Sequence, residues 1–157
     1  EVKDLVILGR GASLAAVWNG SLISKEAAKC AFEGMHAADF RHGPLELASP
    51  DLTMLMFEGV RQTARLNREL ALEVTRLGGR VLWLAEEADT DLPTLCLPFV
   101  DEIALPLVEI LPLQMLTILM AQRAIEGQNV RRTPVSLSKI SPHLVRAVIA
   151  ATTAPAF

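Results

Sequence analysis

Three side chains in this sequence have the chemistry and the setting for proton transfer on a small polar molecule: Glu26, His42 and Lys139. Glu26 lies between Ala12 and about Phe32, a stretch with no proline and a single glycine at 20, which reads as one long helix. Stepping about 100° per residue sets Asn19, Leu22, Cys30 and Glu33 beside Glu26 and turns Lys25 away. A carboxylate among Leu22 and Cys30, facing a second carboxylate at Glu33, is expected to lose part of its hydration and to favour its protonated form, which suits proton shuttling near neutral pH. The bland reading is a solvated helix glutamate near Lys29. His42 stands in Phe40-Arg41-His42-Gly43-Pro44, where Gly43-Pro44 forces an abrupt turn directly after the imidazole. Histidine is the natural residue for moving a proton at neutral pH, and a loop histidine bonded to a nearby carbonyl is the equal alternative. Lys139 follows Arg131-Arg132-Thr133-Pro134 in an otherwise acidic chain. These cations either form a solvated tail or hold an anionic substrate, with Lys139 as point charge or amine.

Two further groupings are weaker. Gly9-Arg10-Gly11-Ala12-Ser13 follows an apolar run and opens a helix, so its amide groups could cradle an anion. Leu14 breaks the G-x-G-x-x-G dinucleotide pattern, and a plain strand-to-helix turn is the simpler reading. His36, Asp39 and His42, with Cys30 or Glu33 added, have ligand atoms that would allow a metal-dependent hydrolase. Their spacing matches no established ligand pattern, and no metal or organic cofactor is expected.

The elements that must position these groups follow from periodicity. Leu5–Leu8, Thr53–Phe57 and Val81–Ala85 are continuous apolar runs of the kind buried on both faces of a parallel sheet. Thr94–Leu97 reads as a short fourth strand, and Asp101–Ile103 as the start of a fifth. Between the second and third runs, Arg61–Leu77 is helical, with Leu66, Leu70, Val74 and Leu77 on one stripe and Gly78-Gly79 as the stop. Strands alternating with helices predict an α/β fold, a doubly wound, flavodoxin-like parallel sheet with helices on both faces. Such folds bind ligands beyond the carboxyl ends of their strands, which puts the Gly9-Arg10-Gly11 turn at the working edge.

Composition agrees. The chain has 157 residues, 51% of them hydrophobic, with 25 Leu and 21 Ala but only 4% aromatic and no Tyr. That is one helix-rich domain, 1–157, with about 130–157 as a C-terminal tail carrying Lys139. A net charge of −3 and few aromatic side chains argue against nucleic acid as partner. Cys30 and Cys96 have no partner pattern, and Glu1-Val2-Lys3-Asp4 is no basic leader, so a reducing cytoplasmic setting is expected. The apolar stretch 103–121 carries one charge, Glu109, and is interrupted by Pro106 and Pro112. With Pro112 opening a helix that ends before Gly127, the span is about 22 Å, short of a bilayer, and no membrane partner is expected. The apolar Leu113–Ala121 instead calls for cover from another subunit or domain.

The glycine turn, Ser24-Lys25-Glu26, the segment Glu33 to Pro44 and the tail Arg132-Thr133-Pro134-Val135-Ser136-Leu137-Ser138-Lys139 resemble, in order and spacing, the sugar isomerase (SIS) domain family. Within it the likeness is to the C-terminal SIS domains of the isomerising glutamine–fructose-6-phosphate aminotransferases and agaS-type relatives. The specific element is the sixteen-residue step from Glu26 to His42, followed by a terminal lysine. The resemblance implies a phosphosugar-binding domain of an aldose–ketose isomerase, aminotransferase-like or deaminase-type enzyme acting on hexose or amino-sugar phosphates. It implies that Glu26 moves the proton between C1 and C2 through an enediol or enolamine. His42 would serve ring opening in the neighbouring subunit's site, and Lys139 would meet the open-chain carbonyl. Gly9, Arg10, Gly11 and Ser138 would contact substrate, and a homodimer or a second SIS domain would complete the site. The sequence departs from the pattern at Asn19 and Ile23, where family synthases carry a glutamate and a lysine, and it has no S-x-S-G-x-T phosphate loop. These departures leave a noncatalytic sugar-phosphate-sensing or dimerisation module as the alternative.

Overall fold

The computed structural model describes residues 4–126. Five strands, β1 (Asp4–Gly9), β2 (Glu33–His36), β3 (Leu52–Phe57), β4 (Arg80–Ala85) and β5 (Thr94–Cys96), form one sheet in the order β2-β1-β3-β4-β5. Every neighbouring pair is parallel. The connections carry α1 (Leu14–Glu26), α2 (Ala37–Phe40), α3 (Arg61–Arg76) and, after β5, α4 (Leu105–Glu126). This is the expected doubly wound sheet.

Side-chain alternation along the strands decides which helix goes where. Leu5 and Ile7 of β1 pack with Ala16 and Val17 of α1 and Leu113 and Met120 of α4. Val6 and Leu8 point the other way, into Phe40 of α2 and Leu70 and Val74 of α3. Hence α1 and α4 cover one face, α2 and α3 the other, and a strand buried on both sides has no polar position to spare. The first turn of the chain after β1 is tight: Gly11 has φ +57°, a conformation that costs a non-glycine residue strain.

Several elements differ from the expectation. The long helix over 12–32 stops at Glu26, Lys29 adopts a left-handed φ of +55°, and the chain re-enters the sheet as β2. Cys30 and Glu33 therefore do not share a helical face with Glu26. The strand was hidden because Glu33-Gly34-Met35-His36 is an edge strand, half-solvated, with no apolar run to mark it. Asp101–Ile103 forms a turn and not a strand. Leu70 and Val74 of α3 are buried as expected, whereas Leu66 of α3 and Leu77, which caps its end, are exposed.

α4 begins at Leu105, not Pro112. Pro106 sits in the first turn, where a missing N–H costs nothing, and Pro112 lies inside, removing a single intrahelical bond. The helix is thus 22 residues, about 33 Å, and by length and composition alone it would reach across a bilayer. Here its Leu113 seats directly against Gly20 of α1, where a Cβ would lie 2.3 Å from Leu113 Cδ1.

Gly34 plays the same part for β2. A Cβ there would stand 2.9 Å from both Ser21 Cβ and the Val17 carbonyl oxygen of α1. Since a backbone oxygen cannot rotate away, Gly34→Ala must push α1 off the edge strand. We expect a loss of about 2 kcal/mol, read as a lower urea midpoint at unchanged m-value.

Candidate functional site

In a sheet of this order the chain leaves β1 toward one side and returns for β3 on the other, opening a crevice between their carboxyl ends. Arg10, just past β1, is half-buried there and its Nε donates to Asn67 Oδ1 at 2.8 Å. Burial and the nearby Arg41 lower the Arg10 guanidinium from its ordinary value, against an opposing pull from Asp39. Asn67, fully buried on α3, spends its Nδ2 on the carbonyls of Phe57 and Glu58, at 3.1 and 2.9 Å. The Gly9-Arg10-Gly11 turn is therefore tied to the end of β3 by a polar bridge, a detail the sequence did not announce.

Beside it, Ser13 is buried and its Oγ donates to Glu109 Oε1 at 2.8 Å. A Cβ on Gly59, which has φ +72°, would come within 3.0 Å of that same Oγ, so only glycine lets the β3–α3 turn approach this close. Glu109 is 1% exposed. Burial pushes its carboxyl up to about 7, with the Ser13 hydrogen bond working in the opposite sense. Sequence reasoning noticed Glu109 only as a lone charge. The available signal was its spacing: Glu109, Leu113 and Met120 fall on one buried stripe of α4.

The three residues singled out for proton transfer are placed as follows. Glu26 is at the last turn of α1, with its side chain exposed. Leu22 is exposed too, and among the described residues no desolvated pocket surrounds the carboxylate. Because α1 starts at the carboxyl end of β1 and runs back about 20 Å, Glu26 lies toward the amino ends of the strands. His42 follows α2 on the opposite face of the sheet and is also exposed. Its main-chain N–H bonds the Asp39 carbonyl at 3.0 Å, and among the described residues its imidazole has no hydrogen-bond partner. Neighbouring Arg41 is held by Glu73 at 2.7 Å, which fixes the loop on α3. One copy of the described residues thus does not bring Glu26 and His42 together. Lys139 and Ser138 lie outside the described residues, as does the stop at Gly127.

Of the residues weighed as metal ligands, Cys30 and His36 are engaged locally, Cys30 Sγ donating to the Ala28 carbonyl at 3.3 Å. His36 caps α2, its Nδ1 accepting from the Ala38 N–H at 3.0 Å. Among the described residues, no three His, Cys, Asp or Glu side chains are grouped to hold a metal ion.

Comparison with known proteins agrees with this architecture. The SIS domain pattern matches residues 1–123. The chain belongs to the SIS domain family. It is 30% identical over 144 residues to the isomerising glutamine–fructose-6-phosphate aminotransferase of Chlorobaculum tepidum, covering 88% of this chain and 23% of the relative. The corresponding enzyme of Agrobacterium fabrum is 30% identical over 120 residues, covering 73% and 20%. This SIS domain therefore spans about a fifth of the length of those curated relatives. In fold it superposes on the C-terminal domain of glucosamine-fructose-6-phosphate aminotransferase from Francisella tularensis, with TM-score 0.69 and 21% identity over 78% of this chain and 36% of that one. The tagatose-6-phosphate ketose/aldose isomerase of Escherichia coli gives TM-score 0.63 at 22% identity, covering 80% and 36%.

Proposed function

We propose that this SIS domain supplies Glu26, His42 and Lys139 to phosphosugar isomerisation at a site completed by a second copy or a second SIS domain. The observation that carries the reading is the placement of Glu26 and His42 on opposite faces of one sheet with both side chains open to solvent. Each is thereby available to a different neighbour. Support for such a neighbour comes from the outer surface of α1 and α4, where Trp18 and Leu22 of α1 and Leu107, Leu111 and Ile118 of α4 are exposed on adjacent helices.

In this mechanism His42 moves the proton that opens the sugar ring, and Lys139 holds the carbonyl oxygen of the open chain. The Glu26 carboxylate takes a proton from C1 of a ketose as its carbonyl becomes the enediol hydroxyl. It returns the proton to C2 while the C1 hydroxyl loses its own and becomes the aldehyde. An amine at C2 gives the enolamine by the same transfer. Docking against a partner would strip water from Glu26, restoring the basicity that an exposed carboxylate lacks. The test is turnover of fructose 6-phosphate and amino-sugar phosphates by the full-length protein with Glu26→Gln. We expect a fall of about 10²- to 10⁴-fold, and unchanged activity would remove Glu26 from the chemistry.

One feature favours a second reading, a noncatalytic sugar-phosphate-sensing or dimerisation module. Asn19 stands where family synthases have a glutamate, and its Oδ1 is buried without a hydrogen-bond partner among the described residues. Ligand binding that survives His42→Ala and Lys139→Ala, with no turnover in any form, would decide for the module.

A further inference from the structure

Beyond the carboxyl ends of β3, β4 and β5, on the side closed by the start of α4, lies a pocket of about 280 Å³. It is remote from Glu26, and none of the residues argued above for isomerisation lines it. Its charged side chains are Glu58 from the β3–α3 turn, Arg61 at the start of α3, Glu86 after β4, Glu102 before α4 and Glu109 on α4. Carboxylates outnumber the one guanidinium by four to one. Leu84 and Leu97 give it apolar walls.

Glu109 distinguishes this pocket from a chance gathering of acids. Its Oε1 is held by Ser13, while Oε2 is buried and has no hydrogen-bond partner among the described residues. An acceptor buried without a donor is costly unless something supplies one. Glu58, whose Oε2 accepts from the Glu86 N–H at 3.4 Å, is raised chiefly by burial and further by the like charges of Glu86, Glu87 and Asp89. We propose that this pocket binds a small hydroxylated molecule through a protonated primary amine, with Glu109 as the anchoring carboxylate. An ammonium brings three donors and the missing charge in one compact group. A bare divalent cation suits the site less well, because no three acidic side chains among the described residues are grouped at metal-holding distance and the walls are half apolar. Hydroxyl groups on the ligand match the first turn of α3, which Val60, Arg61 and Gln62 present to the pocket and which no side chain caps.

The proposal does not depend on Glu26 or His42. It is tested by following backbone amide NMR shifts of the protein in phosphate buffer during titration with serinol and, separately, with glycerol, which has a hydroxyl in place of the amine. Serinol is expected to shift Gly59, Glu86 and Glu109 at millimolar concentrations, and glycerol to leave them unmoved. The affinity should strengthen from about pH 6 to about pH 8 as Glu109 ionises against Ser13, Glu58, Arg61, Glu86 and Glu102, and weaken about tenfold in Glu109→Gln. Should Glu109→Gln not fold, Glu58→Gln is expected to weaken serinol in the same direction. Glu26→Gln should bind serinol as the wild type does, which separates this site from the isomerisation reading. Equal responses to glycerol and serinol, no response to either, undiminished binding in the folded glutamine variant, or displacement of serinol by magnesium chloride would each overturn the proposal.

Discussion

Chains bearing Glu26→Gln and chains bearing His42→Ala, each slowed about 10²- to 10⁴-fold alone, are expected to regain about a quarter of wild-type turnover when mixed as equal partners. The expectation follows from the sheet. Glu26 ends a helix on the face covered by α1 and α4, and His42 sits in a loop on the face covered by α2 and α3. If two copies build each site, one giving the carboxylate and the other the imidazole, half the dimers in an equal mixture are mixed. Each mixed dimer has one site with both defects and one with neither, so a quarter of all sites are intact. The measurement is initial rate against mixing ratio after co-expression or co-refolding, with a maximum at equal proportions. Flat, additive rates would mean that both groups serve one chain, or that a second SIS domain in the same polypeptide takes the neighbour's place. A Glu26→Gln, His42→Ala double variant mixed with wild type supplies the control. In that mixture every mixed dimer has a Glu26 defect in one site and a His42 defect in the other, so only the wild-type dimers work.

The parts of the fold visible in the sequence are those where one physical term dominates. Leu5–Leu8 and Thr53–Phe57 had to be central strands, because a four- or five-residue apolar run needs cover on both faces, and both are buried. Gly78-Gly79 had to stop α3, and Gly78 takes φ +94° while the Gly79 N–H bonds the Val74 carbonyl at 2.9 Å. β2 was not visible because its pairing energy lies in backbone bonds to β1, from Val6↔Glu33 to Gly9↔His36, and its side chains face water as much as core. The candidate site divides in the same way. The spacing from Glu26 to His42 is written in the chain, but that their side chains look out from opposite faces is a property of the crossover, and only the fold sets it. The Arg10–Asn67–β3 bridge joins residues 57 apart, and no local pattern encodes it.

Glu109 makes the stability of the fold depend on pH. A carboxyl held at about 7 in the folded chain, against an ordinary 4.5, binds its proton more tightly folded than unfolded. Below about 4.5 both states are protonated and nothing is lost. As pH rises toward about 7 the unfolded chain ionises first, so folding must hold a proton that the unfolded chain releases, and stability falls. The fall should amount to about 3 kcal/mol and level off above about pH 7.5. Glu58, also raised by burial and by its acidic neighbours, adds a smaller loss of the same sign. Glu109→Gln keeps an oxygen for the Ser13 hydroxyl and cannot ionise. It is therefore expected to match the wild type near pH 4 and to exceed it by about 3 kcal/mol near pH 8, in urea midpoints at unchanged m-value. Glu109→Leu should gain less at pH 8, because it strands the buried Ser13 Oγ without an acceptor. If wild type and Glu109→Gln instead run parallel across this range, Glu109 does not carry its proton into the folded state. Leucine or glutamine would fill the same stripe of α4 without this cost near neutral pH; the chain instead places an ionisable group beside an acid-lined pocket at the carboxyl edge of its sheet.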